Sequence, residues 1–355
     1  MSGTRDAIER RLRRLEQLRK SHAVVQANAA VRDVWERGSQ PPWIKLRAHL
    51  LYAREEGTQP PLTQLVNPRG IALRFYLLAV FEAQCRLATG APWTSTLGLT
   101  TGRPSWADMV AIDGPYNASG GGYLPATKQG RNLQNARLRQ LQGALRTLED
   151  LGTQRSLVTV PRSANGGRRL YADFALMSEE GRGNLQTPHT YTVPGLTGWD
   201  GNRSTTVTVP ADFFLNGWVQ ILNPSEVATW LVLRELSQHA PTVHTEQGVY
   251  LYGNRREEDF GLKRDAWQDS CHTLRAFGLI RYFLPGFPEG LSPDSFLMAS
   301  GRGDTIVQRR RERYEPHRYQ VTDQGLEQDA LTKCIKEITF LRAQAPAGKA
   351  APAEA

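Results

Sequence analysis

The sequence predicts a mostly helical α+β protein whose helices lead into β hairpins behind an N-terminal helical arm. Three observations predict this class. Runs with apolar residues three and four apart recur along the chain. Two of these runs end at or near a glycine and pass into a β-prone stretch. The 355 residues, 40% apolar and 22% charged, hold no run of the roughly 18 apolar residues that a membrane span requires. That length suits two domains or three, each with its own core.

Residues 4–38 read as one long helix. Ile8, Leu12, Leu15 and Leu18 share a face, and Arg10, Arg11, Arg13, Arg14, Arg19 and Lys20 occupy much of the rest. This arm, residues 1–40, has three uses open to it: docking on the body, the seam of a homodimer, or a basic face laid on phosphates. Gln40-Pro41-Pro42 ends it, and Trp43 to Glu55 reads as a second helix. Asn67-Pro68-Arg69-Gly70 then starts an apolar helix, IALRFYLLAVFEAQCRLA, whose lack of a polar face marks it as a core helix.

Ser105 to Ile112 is a short helix begun by a serine cap, and residues 113–130, rich in Gly, Asn, Ser and Pro, form a loop. Residues 131–151 are a clear amphipathic helix with Leu138, Leu141, Leu145, Leu148 and Leu151 as its stripe. A hairpin follows: residues 156–161, the turn SANGG, then 168–176. Residues 178–204 lack periodicity and form the expected linker between a first domain (41–177) and a second (205–343).

The second domain opens with the strand TTVTVP, and Asn223-Pro224-Ser225-Glu226 is a strong helix start running to about His239. The element GVYLYGNRREEDFG precedes KRDAWQDSCHTLRAFGLIRYFLP, a helix with basic residues first, an apolar stripe after, then a glycine and a strand. The strand HRYQVT (317–322) and a helix over 323–343 complete the domain. Residues 344–355 are low-complexity and expected to be disordered.

The two amphipathic helices echo each other. With Gly152 laid on Gly278, Leu148 falls on Leu274, Thr147 on Thr273, Leu141 on Trp267, and Arg137 on Lys263. Each is preceded by a shorter helix and followed by a β hairpin. A helix that enters the major groove needs polar and basic side chains at its N-terminal end and an apolar later half to pack on its own domain. Its N-terminus also suits phosphate.

This order, in NARLRQLQGALRTLEDLG…LVTV…RRLYADF and again in LKRDAWQDSCHTLRAFGLIRYF…HRYQVT, resembles a winged helix-turn-helix present in two tandem copies. The resemblance covers about two-thirds of the chain and extends to plasmid replication initiators of the RepA kind. It departs from them in the long segment between the second copy's strands, which is either an extended wing or a flexible insertion. The resemblance implies a sequence-specific double-stranded DNA-binding protein, a plasmid-type replication initiator or transcription regulator, acting without a cofactor and not as an enzyme. The net charge of +9 in a chain with no membrane segment points the same way, towards a polyanionic partner.

The candidate DNA contacts of the first copy are Arg131, Asn132, Gln134, Asn135, Arg137 and Arg139 on the helix, with Arg162, Arg168 and Arg169 at the wing tip. Those of the second are Lys263, Arg264, Asp265 and Gln268, with Arg255 and Arg256 on the preceding element. Arg309, Arg310, Arg311 and Arg313 form the densest basic run and are expected to meet phosphate. Asn and Gln near the helix starts are the better candidates for base readout.

Two other readings compete. His272-Thr-Leu-Arg275 matches the HxxR element of tyrosine recombinases, with Arg234 as an upstream arginine and Tyr314 or Tyr319 as nucleophile. Yet a strand follows Arg275 where that family continues its helix, and the further His or Trp before the tyrosine is missing. The other reading is a winged-helix scaffold that binds protein. The sequence has no GxxxxGK[ST], no HExxH and no close His/Cys cluster for a metal. Cys85, Cys271 and Cys334 lie far apart, and the N-terminus has no apolar leader, which together lead us to expect a cytoplasmic protein.

Overall fold

The computed structural model describes residues 2–53, 58–66, 70–111, 116–117, 122–123, 132–151, 156–164, 167–179, 190–195, 199–200, 203–283 and 317–344. In these residues the protein is mostly helical, with small antiparallel two-stranded sheets. The first half runs α1 (Ser2–Lys20), α2 (Ala23–Arg37), β1 (Trp43–Arg47), α3 (Pro61–Gln64), α4 (Ala72–Arg86), α5 (Trp106–Met109), β2 (Tyr116–Asn117), β3 (Gly122–Tyr123), α6 (Asn132–Glu149), β4 (Val158–Thr159) and β5 (Ala175–Leu176). After β6 (Trp199–Asp200) and β7 (Arg203–Ser204) come β8 (Thr206–Pro210), α7 (Asp212–Leu215), α8 (Trp218–Ile221), α9 (Pro224–His239), α10 (Pro241–Gln247), α11 (Gly253–Phe260), α12 (Arg264–Ala276), β9 (Ile280–Tyr282), β10 (Tyr319–Val321) and α13 (Ala330–Gln344).

The arm is two helices, where the periodicity predicts one. The Ser21 hydroxyl donates to the Leu18 carbonyl at 3.1 Å, and His22 takes φ 55°, ψ 15°. A left-handed residue cannot extend an α-helix. The bend turns the two apolar stripes in different directions. Leu12, Leu15 and Leu18 are buried on the α13 side, and Ala23, Val24, Ala27 and Val31 face α4, α5 and α7. The stripe that would form a dimer seam is thus covered by the chain's own C-terminal helix.

Trp43–Arg47 is a strand, where the sequence suggests a helix. Its apolar residues fit both periods, but Ile44 and Leu46 are fully buried on one face, while on the other Trp43 is exposed and Lys45 and Arg47 are half-buried. Its partner is β8, antiparallel, with Trp43 opposite Pro210 and Arg47 opposite Thr206. This pairing joins the two segments expected to form separate domains, and the buried residues of both halves form one cluster. Aromatic stacking reinforces the join: Phe81 of α4 lies 4.7 Å from Phe214 of α7.

Part of the expected linker is packed structure. Tyr191 is fully buried; its N–H donates to the Leu176 carbonyl at 2.8 Å, and its carbonyl accepts from Trp93 N–H at 2.8 Å. Glu179, also buried, accepts from the Arg47 guanidinium at 2.8 Å. Two of the three predicted helix starts hold: Ser105 with Asp108 caps α5, and Asn223 with Glu226 caps α9; Asn67, Pro68 and Arg69 of the third lie outside the described residues, and α4 begins at Ala72.

Candidate nucleic-acid interface

In the second half, two helices are joined by a tight turn. α11 ends at Gly261, whose φ of 63° reverses the chain, and α12 starts three residues later with Lys263 as its N-cap. Trp267, Cys271 and Leu274 bury one face of α12, which packs on α9. At its far end Gly278, φ 75°, closes the helix: Leu279 N–H donates to the Leu274 carbonyl and Gly278 N–H to that of Arg275, both at 2.9 Å. The chain then enters β9, which pairs with β10. Val249, just before α11, bonds to the other edge of β10 through two hydrogen bonds with Tyr319, at 2.7 and 2.8 Å. The order is helix, strand contact, helix, turn, helix, hairpin.

The first half repeats much of this order. α4 packs on α6, and α6 leads to the β4–β5 hairpin. Two differences stand out. The segment between α5 and α6 includes β2 and β3, and the 190–193 segment lies between the hairpin and Trp93. Glu149, in the last turn of α6, fixes the hairpin: it accepts from Val160 N–H at 3.1 Å and pairs with Arg169 at 2.9 Å.

The candidate contacts separate into groups. Lys263, Arg264, Asp265 and Gln268 are exposed at the N-terminal end of α12. Arg255 is exposed and pairs with Asp259 at 3.1 Å. Arg256 is a correction. It is buried, with Nε donating to the Leu262 carbonyl at 2.8 Å and Nη2 pairing with Glu257 at 2.9 Å, so it braces the turn and is out of reach of a phosphate.

On the first half, Asn132 and Gln134 lie in the first turns of α6, Asn135 and Arg139 are exposed, and Arg137 is half-buried. Arg162 and Arg168 are exposed on the hairpin, whereas Arg169 is half-buried and engaged by Glu149. Arg131, Arg309, Arg310, Arg311 and Arg313 lie outside the described residues.

The sequence reading overlooked Asp269. It shares the exposed face of α12 with Asp265, one helical turn away, and the i,i+4 spacing was the available signal. With Glu257 and Glu258 exposed on α11, the second unit's outer surface is of mixed charge. The exposed face of α6 carries Arg139 and Arg146, with no acidic residue before Glu149.

Of the residues of the recombinase reading, Arg234, Arg275 and Tyr319 hold structural contacts, and His272 is exposed. Arg234 is buried in an ion pair with Asp323, and its guanidinium lies 5.3 Å from the Trp230 ring centre. Arg275 stacks 3.5 Å from the centre of Tyr282. Tyr319 is buried, and burial together with Cys271 raises its phenol far above the ordinary range. Burial likewise pushes the Cys271 thiol up to about 12. Tyr314 lies outside the described residues.

Among the described residues no group of three or more His, Cys, Asp or Glu is placed to hold a metal, and no helix is long and apolar enough to cross a membrane. No family model matches the chain, and no curated protein or solved structure matches it.

Proposed function

We propose that this protein is a sequence-specific double-stranded DNA-binding protein with two tandem winged-helix units, serving as a plasmid-type replication initiator or transcription regulator. One observation carries the reading: α11, the Gly261 turn, α12 and the β9–β10 hairpin follow in winged-helix order, with Val249 as the third strand contact. In that arrangement the exposed N-terminal end of α12 enters a major groove. Lys263 and Arg264 meet phosphate, and Gln268 reads a base edge. α6 does the same in the first unit, with Arg139 and the hairpin arginines Arg162 and Arg168 on the backbone. Two unlike DNA-binding modules suit an initiator that acts on repeated sites.

An electrophoretic shift on random-sequence duplex at low and moderate salt tests this. The reading expects a shift that weakens steeply with salt. No shift at low salt would overturn it.

A second reading, in which the helix–turn–helix of the second unit binds protein, has one observation in its favour. Asp265 and Asp269 on α12, with Glu257 and Glu258 on α11, are exposed on a surface that would otherwise face phosphates. Under it, the shift would depend on the first unit alone.

A further inference from the structure

The two halves meet on one rung of the central sheet. Lys45 of β1 stands opposite Thr208 of β8. At such a rung the backbone N–H and C=O groups of both residues point away from the partner strand and must be satisfied from outside. Two glutamines do this, and at the Thr208 carbonyl Arg234 Nε of α9 donates as well. Gln84 of α4 accepts from Lys45 N–H at 2.8 Å and donates to its carbonyl at 2.6 Å. Gln238 of α9 accepts from Thr208 N–H at 2.9 Å and donates to its carbonyl at 2.8 Å. Each side-chain amide takes the place of a further strand. The result is a continuous row, Gln84–Lys45–Thr208–Gln238, whose ends are anchored on the two helices that carry α6 and α12.

The halves also exchange helix caps. The last carbonyls of a helix have no partner within it. At the end of α11, the Phe260 carbonyl accepts from the Thr63 hydroxyl, and the Asp259 carbonyl accepts from Ala53 N–H at 2.9 Å, both donors coming from the first half. At the end of α5, the Met109 carbonyl accepts from Gln220 Nε2 at 2.8 Å, and Gln220 Oε1 accepts from Ala111 N–H at 3.0 Å, this time from the second half. A hinge between the halves would strip buried polar groups of their partners on both sides at once.

We propose that Gln84 and Gln238 are positioning residues that hold α6 and α12 at one fixed separation, so that the protein recognises a two-part duplex site at a single spacing. This rests on the DNA-binding reading above. Two rigidly joined modules gain from acting together only when both sites can be engaged in one geometry.

Two measurements separate the inference from that reading. In the first, nitroxide labels are placed on Arg139→Cys and Asp269→Cys; the native Cys85, Cys271 and Cys334 are all buried. Dipolar spectroscopy without DNA should show one narrow distance in the otherwise wild-type chain and a broad distribution in Gln84→Met/Gln238→Met. The single Gln84→Met and Gln238→Met variants serve if the double variant does not fold. A distribution equally narrow in the variants would overturn the inference.

The second measurement selects bound sequences from a random duplex pool. The wild type should enrich two half-motifs at one spacing, and two base pairs inserted between them should lower its affinity about tenfold or more. The variants should enrich the same half-motifs at scattered spacings. A single spacing retained by the variants would again overturn the inference. Failure of the wild type to enrich any motif would count against the DNA-binding reading, and the distance measurement would still decide the joint.

Discussion

Arg11 of α1 and Glu226 of α9 form a bidentate ion pair at the heart of the second half. One arm of it, Nη2 to Oε2, measures 2.8 Å. Glu226 is also the residue that caps α9, accepting from Asn223 N–H at 2.9 Å, and the Arg11 guanidinium lies 5.1 Å from the ring centre of Phe277, just past α12. One arginine therefore ties the N-terminal helix to the start of α9 and the end of α12. Arg11→Met would leave a buried carboxylate without its cation, at a cost of about 3 kcal/mol. Urea denaturation checks this, and a loss below about 0.5 kcal/mol, the scale of a surface substitution, would mean that α1 does not dock as described.

Arg139 is expected to act through phosphate alone. Arg139→Ala should weaken binding to all duplexes alike and reduce the slope of log K against log salt by about 0.9. Fluorescence anisotropy across a salt series measures it. A change confined to one sequence would assign Arg139 to base readout instead.

Asp265 and Asp269 should act as a filter. Carboxylates facing a groove repel phosphate wherever no base donor compensates, which lowers affinity for wrong sites more than for the right one. Asp265→Asn/Asp269→Asn should therefore raise affinity for random duplex by roughly fivefold at low salt and relax discrimination. Unchanged random-duplex affinity would place this face away from DNA.

The foot of the second hairpin carries a pH dependence. His244 Nε2 accepts from Val321 N–H at 2.9 Å, which requires a neutral ring. Burial, with Arg281 and Arg234 nearby, lowers its pKa from the usual 6.5, against a smaller opposing effect of Asp323. The unfolded chain takes up this proton before the folded one, so the contribution is full above about pH 6.5 and is lost as pH falls through the folded value. Between pH 7.5 and 5.5 the wild type should lose stability relative to His244→Gln. Parallel stability curves for the two proteins would contradict this.

Much of the helical framework is legible in the sequence because its signals are local. The stripes of α6 and α12, the caps of α5 and α9, and the hairpin after α6 each depend on neighbours in the chain. The misreadings share a cause. Trp43–Arg47 satisfies both helical and strand spacing, and only its distant partner β8 decides between them. His22 breaks the arm without a glycine or proline to mark it. Arg256 carries the same charge as Arg255 next to it, yet one is buried and the other exposed, because charge says nothing of which way a helix face turns. Gln84 and Gln238 read as ordinary polar residues until the sheet between them is known.

The most direct test of the central claim, that α12 reads base pairs, is selection from a random duplex pool with the wild type and with Gln268→Ala. Loss of a good bidentate base contact costs about 1–3 kcal/mol at one position. The account predicts a two-part motif in which Gln268→Ala degrades one half and leaves the other intact. A motif unchanged by the substitution, or no motif from the wild type, would contradict it.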